Sequence, residues 1–203
     1  MTTPTQTRTQ KTVRRTIVRN RRNMLDYTNV VCSSKADIHL DTMYMTPFLN
    51  NVIMKKSVMI WKVKRIGMTC LLYKTGKIII MGKPPGDLNS VAMCHASARK
   101  CLRKYIRLLH VKFGNMFTIE RIKLLTVSAT YNVHGSLLYH DIINSIECTY
   151  EPEIFHGITL RRQHLHFIVF RTGKILITGI VKESDVKNLI HPCILELEFI
   201  SNV

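Results

Sequence analysis

The side chains that could do chemistry in this chain do not form the sets that catalysis or metal binding requires. His164 and His166 alternate along the chain, but no third cysteine, histidine or carboxylate stands near them to complete a zinc site. A phosphate-binding loop, a Gly-x-Ser-x-Gly element, paired metal carboxylates and a Cys/His dyad in a recognisable context are also missing. We therefore expect no enzymatic activity, no cofactor and no metal.

Six cysteines are present, and none of them has the C-x2-C spacing of a metal or redox motif. Cys94 and Cys101 fall on one face of a predicted helix. We expect all six to be buried or half-buried free thiols of a reducing compartment. The six are Cys32, Cys70, Cys94, Cys101, Cys148 and Cys193.

The charge of the chain is strongly positive. Thirty lysines and arginines against 13 acidic residues give a formal charge of +17. Such a balance is typical of a nucleic-acid partner, although an acidic membrane surface or an acidic protein would attract the same charge. No apolar run reaches the ~18 residues of a membrane span, and the N-terminal residues lack the apolar core of a signal peptide.

Five of the cations lie on one predicted helix. Apolar residues recur at helical spacing from Leu88 to His110, after a Pro84-Pro85-Gly86 break, with Asp87 as the expected N-cap. The other helix surface is either a docking face for phosphates or an acidic partner, or simply a solvated face. It carries Arg99, Lys100, Arg103, Lys104 and Arg107.

A short sequence motif occurs twice, at Thr75–Gly82 and at Thr172–Gly179, and the two copies begin 97 positions apart. Each copy follows an apolar-aromatic run and ends in glycine, a pattern that predicts a β-hairpin. The duplication predicts two similar half-domains. We place a basic tail at 1–23, a first repeat at 24–115 and a second repeat at 116–203.

The remaining pattern predicts an α+β fold, with strand, helix, meander and helix repeated in each half. The acid-free tail is expected to be disordered, and it either contacts phosphates or serves solubility or targeting. Trp61 is predicted to be core. The other predicted strands begin at Asn29 and cover 57–63 and 122–129. Weak helical spacing covers 38–52, and short helices are predicted at 136–144 and 184–190. The last of these is expected to be capped by Ser184 and interrupted by Pro192.

Three segments resemble the TATA-binding-protein family. Residues 97–107 are similar to that family's basic convex helix, and residues 150–157 (Y-E-P-E-I-F-H-G) are close to its Y-E-P-E-L-F-P-G. The third segment is the Thr-Gly-Lys hairpin in both halves. The resemblance runs from about Asn29 to the C terminus. It implies a saddle: two pseudo-symmetric half-domains form one curved antiparallel sheet with helices on its convex face.

The resemblance also implies a DNA-binding site on the concave face. That family lays its sheet in the minor groove, where apolar contacts and aromatic wedges unstack base steps and bend the duplex. From periodicity alone, Tyr73 and Phe170 are more typical of core residues; the alignment makes them wedges. The implied contacts are Asn29, Val31, Ser33, Leu71, Tyr73, Ile79 and Met81, then Leu124, Thr126, Phe155, Ile168, Phe170, Leu176 and Thr178, with Lys62 and Arg161 at the family's phosphate-contacting arginines.

Three departures from the family pattern bear on specificity. The fourth wedge phenylalanine falls at Lys56, the second of two paired asparagines falls at Leu124, and Met81 replaces a threonine. Loss of an amide that hydrogen-bonds base edges weakens discrimination of A·T from G·C. Loss of a wedge reduces kinking in the first half. DNA binding is therefore expected to survive better than strict TATA specificity.

The resemblance also implies protein partners. The acidic loop with Tyr150, Glu151, Glu153 and Ile154 corresponds to the stirrup that docks transcription factor IIB, although a solvated turn held by Pro152 is the alternative. The leading hypothesis is a promoter-bending initiation factor that works with a IIB-like factor and RNA polymerase in the nucleus, or at a viral transcription site. The alternative is a scaffold that no longer reads promoters and binds proteins through its basic helix and stirrup.

Overall fold

The computed structural model describes residues 25–37, 47, 49–114, 118–133 and 137–201. The basic tail, most of the 38–52 stretch and Ser136 lie outside these residues. The strands are β1 Asp26–Lys35, β2 Val52–Lys55, β3 Val58–Lys62, β4 Thr69–Tyr73, β5 Lys77–Gly82, β6 Lys123–Asn132, β7 Ile158–Arg162, β8 Leu165–Val169 and β9 Lys174–Ile180. The helices are α1 Val91–Phe113, α2 Tyr139–Ser145 and α3 His191–Ser201, with a helical turn Glu183–Asp185 and a π-helical stretch Val186–Ile190 before α3.

All nine strands belong to one antiparallel sheet in the order β2-β3-β4-β5-β1-β6-β9-β8-β7. β1 and β6 pair at its centre. Outward from this pair, β5 and β9, then β4 and β8, then β3 and β7 occupy matching places. β2 extends one edge, and a single bridge between Thr149 and Thr159 lies at the matching place on the other. The expected α+β class with one antiparallel sheet is confirmed.

Both predicted hairpins are confirmed. The turn between β4 and β5 places Gly76 at φ 79°, and the turn between β8 and β9 places Gly173 at φ 80°. Glycine adopts this left-handed conformation without a steric penalty. The Gly76 amide donates to the Tyr73 carbonyl at 3.0 Å, and the Gly173 amide donates to the Phe170 carbonyl at 2.9 Å. The repeated motif therefore makes the same turn twice.

Helix α1 begins three residues later than predicted, and its cap is a different residue. The Ser90 side chain accepts a hydrogen bond from the Met93 amide at 3.2 Å, so the predicted cap at Asp87 is wrong. The chain from Lys83 to Asn89 is irregular, and its polar residues cannot be ranked as caps by composition alone. Glu183, from the other half of the chain, accepts from the Val91 amide at 3.0 Å.

The core lies between the helices and one face of the sheet. Trp61 is buried, as predicted, and its ring meets the Tyr105 ring edge-on at a centroid distance of 4.8 Å. The Tyr105 hydroxyl donates to the Met68 carbonyl at 2.6 Å and accepts from the Val63 amide at 3.1 Å. Burial raises the pKa of Tyr105 to about 12. All six cysteines are free, and Cys148 alone is half-buried, which confirms the thiol prediction.

The prediction that Pro192 interrupts the last helix is wrong. Helical structure runs from Glu183 to Ser201, and Pro192 lies at the second residue of α3. The preceding turn is π-helical, with the His191 amide donating to the Val186 carbonyl. A wider turn at this point accommodates a residue that has no amide hydrogen. The predicted cap at Ser184 is also wrong, because Asp185 instead accepts from the Val181 and Lys182 amides at 2.9 and 3.0 Å.

The sequence patterns missed β2, and they underestimated β6, which extends to Asn132. No helix among the described residues is long and apolar enough to cross a lipid bilayer. Within the same residues, no three histidine, cysteine or acidic side chains lie together as a metal site would require.

Candidate nucleic-acid interface

Within the part of the chain that the structure describes, helices cover one face of the sheet and leave the other uncovered. In β1, Val30 and Cys32 are fully buried, whereas Asn29, Val31 and Ser33 between them are half-buried. Successive residues of a strand point to opposite faces, so these three share the uncovered side. We call this side the open face. The sequence-predicted strand contacts of β1, β4, β5, β6, β8 and β9 are all half-buried and lie on it.

In the first half, the predicted contacts form one contiguous patch of the open face. Leu71 lies opposite Ile79 in the β4–β5 pair, and Met81 lies opposite Val31 in the β1–β5 pair. Ser33 is opposite Ile79 on the other flank of β5. Cross-strand neighbours point to the same face, so apolar side chains from three adjacent strands lie side by side.

The second half repeats this arrangement. Ile168 lies opposite Leu176 in the β8–β9 pair, and Thr178 lies opposite His166. Phe170 follows β8 directly, and its amide donates to the Lys174 carbonyl at 2.9 Å. Ile168, Leu176, Thr178 and Phe170 are all half-buried. The structure thus brings the predicted second-half contacts to the same side as those of the first half.

The strand pairing shows which residue of the second half is equivalent to Asn29 at the centre of the open face. Lys35 pairs with Lys77 in one half, and Asn132 pairs with Lys174 in the other. The same two-fold relation makes Thr126 the counterpart of Asn29. Leu124, which the alignment matched to Asn29, lies two residues earlier and opposite Cys32. On either match, the second half has no amide side chain at this place.

A cluster of three rings stands at the outer end of the second half. The Phe155 and Phe170 centroids are 6.1 Å apart in an edge-to-face arrangement. The His156 ring lies 5.2 Å from Phe155 and 5.9 Å from Phe170. Phe155 is 39% exposed. His156 was not among the predicted contacts. It stands where the resembling motif has proline, and this departure was the signal in the sequence that could have drawn attention to it.

The residues around this cluster fix its position. The Glu151 carbonyl accepts from the Phe155 amide at 2.8 Å and closes the turn before Phe155. The Tyr139 hydroxyl of α2 lies 2.8 Å from the Val169 carbonyl and 3.0 Å from the His156 carbonyl. A Cβ at Gly157 would lie 2.6 Å from the Phe155 ring, so a glycine is required for the ring to lie where it does.

The corresponding end of the first half is cationic rather than aromatic. Tyr73 is half-buried at the end of β4, with the Lys77 ammonium 6.0 Å from its ring centroid. Lys56 occupies the β2–β3 turn in a left-handed conformation, φ 51°, and is exposed. The two halves therefore present different chemistry at their outer ends.

The two predicted phosphate contacts lie at matching positions in the sheet. Lys62 ends β3 opposite Thr69, and Arg161 lies in β7 opposite His166. Both are exposed on strands that flank the apolar patch. The Arg161 guanidinium donates to the Gln163 carbonyl at 3.3 Å, which fixes part of the side chain while other donors remain available.

The predicted partner surfaces are exposed. In the stirrup loop, residues 150–157, Glu151 and Glu153 are exposed and Ile154 is 79% exposed, while Tyr150 is half-buried against Tyr139 at 5.1 Å. On α1, Arg99 is half-buried and the other four cations are exposed. Burial, then Arg99 and Arg121, lower the pKa of His95, so positive charge already disfavours a further proton on this helix.

Comparison with known proteins agrees with this architecture. The sequence model described as transcription factor TFIID, or TATA-binding protein, matches residues 121–198. The chain superimposes on the TATA-binding protein of Methanococcus jannaschii with a TM-score of 0.64 at 20% identity, over 89% of this chain and 99% of that one. The fold is therefore the saddle of that protein, as predicted.

Sequence relatives cover both halves. The chain is 28% identical to TATA box-binding protein-like 1 of Caenorhabditis elegans over 83% of its own length, but spans about a third (34%) of that longer protein. It is 24% identical to the TATA-box-binding protein of Sulfurisphaera tokodaii over 78% of each chain. The chain is therefore similar in sequence to TATA-binding proteins along most of its length and shares their fold.

Proposed function

We propose that this protein binds duplex DNA in the minor groove through its open face and bends it, and that its stirrup loop recruits a IIB-like factor in the nucleus. The two repeats at 24–115 and 116–203 each supply one half of the surface. The observation that carries the proposal is the aromatic cluster of Phe155, His156 and Phe170 at the end of an uncovered apolar sheet.

The composition of the open face suits a minor groove. Its centre is apolar or hydroxyl-bearing, as in Val31, Thr126, Ile79 and Leu176, and its cations stand towards the edges. Apolar side chains contact the sugar walls and base edges of a widened groove, while cations pair with the phosphates on either side. Asn29 is the one amide of the predicted contacts, and it supports a preference for A·T pairs that we expect to be modest.

Rings that unstack a base step must be exposed and held in place. Phe155 and Phe170 are not covered by a loop, and the Glu151, Tyr139 and Gly157 contacts hold them in position. Smooth bending of a 20–30 base-pair site by 40–90° costs about 1–6 kcal/mol. Stacking contributes about 1–3 kcal/mol per base by alanine substitution. Two rings would therefore contribute about 2–6 kcal/mol, which is comparable with the cost of the bend.

The test is a Phe155→Ala/Phe170→Ala double variant on an A·T-rich duplex labelled at both ends. We expect the change in energy transfer between the labels to be lost and the affinity to fall about 10- to 100-fold. Phe199→Ala is the matched control, because Phe199 is 74% exposed on α3, away from the open face. Bending by the double variant equal to that of the wild type would refute the proposal.

Recruitment of a IIB-like factor is tested separately on the stirrup loop. Ile154→Ala and Glu153→Lys replace exposed side chains of this loop. We expect DNA bending to persist and capture of the purified factor on the bent DNA to be lost. Capture that is unchanged in both variants would assign the factor to another surface. If the wild-type protein captures the factor but does not bend DNA, the result would favour the scaffold function.

A further inference from the structure

Four cations converge at one end of the three central strands. Lys35 ends β1, Lys77 begins β5 and is its cross-strand partner, and Lys123 begins β6 opposite Ser33. Arg121 precedes β6 by two residues. The four line a groove of about 360 Å³ together with Ser33, and none of them was among the predicted DNA contacts. Lys35 and Lys77 belong to the first repeat, and Arg121 and Lys123 belong to the second. We call this site the cationic groove.

The charge of this groove is largely uncompensated. All four cations are exposed, and none takes part in the ion pairs found among the described residues. Glu120 is the one carboxylate in the lining. Like charges brought this close repel one another, and a bound anion relieves that repulsion. The groove therefore favours an anionic ligand.

Backbone hydrogen bonds hold the strands that carry these cations. The Glu120 amide donates to the Lys35 carbonyl at 2.8 Å, and the Ala36 amide donates to the Gly76 carbonyl at 2.9 Å. The Ser34 hydroxyl donates to the Glu120 carbonyl at 2.7 Å. Three segments distant in sequence are thus joined, so the positive charges are fixed near one another rather than spread on loose loops.

The corresponding groove at the other end of the central strands is less cationic. Where Lys35 pairs with Lys77 in the first half, Asn132 pairs with Lys174 in the second. The groove beside Lys174 is lined by two cations, Arg171 and Lys174, together with the rings of Tyr150, His156 and Phe170. In the cationic groove, Lys77 also lies 6.0 Å from the ring centroid of Tyr73.

We propose that the cationic groove binds backbone phosphates of the duplex that lies on the open face. This proposal rests on the proposed function and extends it to residues outside the predicted contacts. Lysine and arginine bind phosphate oxygens without reading sequence, and the Ser33 hydroxyl is a further donor. The groove, which both repeats line, then holds the DNA by its phosphates, and the aromatic cluster of the second half kinks it.

The test is a Lys35→Gln/Arg121→Gln/Lys123→Gln variant, measured for affinity against salt concentration between about 50 and 200 mM. A plot of log affinity against log salt concentration has a negative slope of about 0.9 for each phosphate that the protein neutralises. The magnitude of this slope should therefore be smaller by about 2–3 in the variant than in the wild type. The loss should be equal on A·T-rich and G·C-rich duplexes. The matched control is Lys112→Gln/Lys182→Gln/Lys187→Gln, which removes the same charge from exposed residues away from the groove.

The outcomes separate this proposal from the proposed function. A wild-type protein that bends DNA, with a groove variant whose slope equals that of the wild type, would overturn the groove and leave the bending mechanism standing. Equal slope losses in the groove variant and the control would also overturn it, because they would indicate diffuse charge. A wild-type protein that does not bind DNA would overturn both. A lower slope in the groove variant alone supports the groove.

Discussion

At the scale of single residues, the site depends on one glycine and a few hydrogen bonds. Gly157 lies between Phe155 and Ile168, and a Cβ there would be 2.6 Å from the first ring and 2.9 Å from the Ile168 methyl. Real Cβ atoms do not approach so closely, so one of these groups must move. The conformation of the wedge is therefore set by a residue that makes no contact with DNA in our proposal.

We predict that Gly157→Ala displaces the Phe155 ring and lowers DNA bending while the protein stays folded. Overpacking at a buried site costs about 1–3 kcal/mol, so the melting temperature should fall by several degrees. The bend is measured by energy transfer on an A·T-rich duplex, with Ser145→Ala, on an exposed residue of α2, as the control. Normal bending with a lower melting temperature would show that Phe155 is not a wedge.

Asp185 is a buried carboxylate of the second half whose pKa the fold lowers. Burial alone raises the pKa of this carboxyl, but the Val181 and Lys182 amides and His164, 3.3 Å away, outweigh it and lower the pKa below its usual value. The unfolded chain then binds the proton more readily than the folded chain. The stability that the ionised form contributes is present at neutral pH and is lost as the pH falls below about 4.

We predict that Asp185→Asn is less stable than the wild type at pH 7 by about 1–3 kcal/mol, because its charged hydrogen bonds to the two amides are weakened. At an acid pH below the depressed pKa of Asp185 the difference should shrink, since the carboxyl is then protonated in the wild type as well. Urea unfolding at the two pH values measures this. A difference that does not depend on pH would mean that the carboxylate charge does not matter.

At the scale of elements, hairpins were predictable and helix ends were not. Each Thr-Gly turn has a glycine at positive φ between two apolar runs, a local signal that needs no tertiary information. Helix α1 is capped by Ser90 rather than Asp87, and α3 continues through Pro192 because a π-helical turn precedes it. These choices depend on how the connections pack. β2 was missed because four residues at a sheet edge carry too little pattern.

The cap assignment on α1 is directly testable. We predict that Ser90→Ala lowers the free energy of unfolding by about 1 kcal/mol, because the Met93 amide loses its acceptor. Asp87→Ala, on an exposed residue before the helix, should leave stability unchanged within about 0.5 kcal/mol. Thermal or urea unfolding of the two variants decides between them. The reverse order would restore Asp87 as the cap.

At the scale of the whole molecule, the two halves share a frame but differ in chemistry. The sheet order and the turns repeat about the β1–β6 pair. The outer end of the second half has three clustered rings and that of the first has Tyr73 and Lys56, while the cationic groove lies at one end of the central strands. The repeated Thr-Gly-Lys motif and the Y-E-P-E-I-F-H-G motif predicted the arrangement of the sheet in two similar halves and most of the residues of the open face. The groove could not be predicted, because pairing across distant strands assembles it.

This difference predicts an asymmetric bend that a single substitution increases. Lys56→Phe places a ring where the family has its fourth wedge, and it should enlarge the bend angle on an A·T-rich duplex. The left-handed conformation of residue 56 costs about 1–2 kcal/mol for either side chain, so stability should change little. Lys112→Phe at the end of α1 is the control. An unchanged angle in the Lys56 variant would show that this turn does not reach the DNA.

The central claim is that the open face binds the minor groove and bends it. The most direct measurement is energy transfer across end-labelled duplexes, one A·T-rich and one G·C-rich, titrated with wild-type protein at several salt concentrations. The account predicts a larger change in energy transfer on the A·T-rich duplex, which persists at salt concentrations that weaken purely electrostatic binding. Binding that is equal on both duplexes, lacks any change in energy transfer and collapses steeply with salt would contradict it.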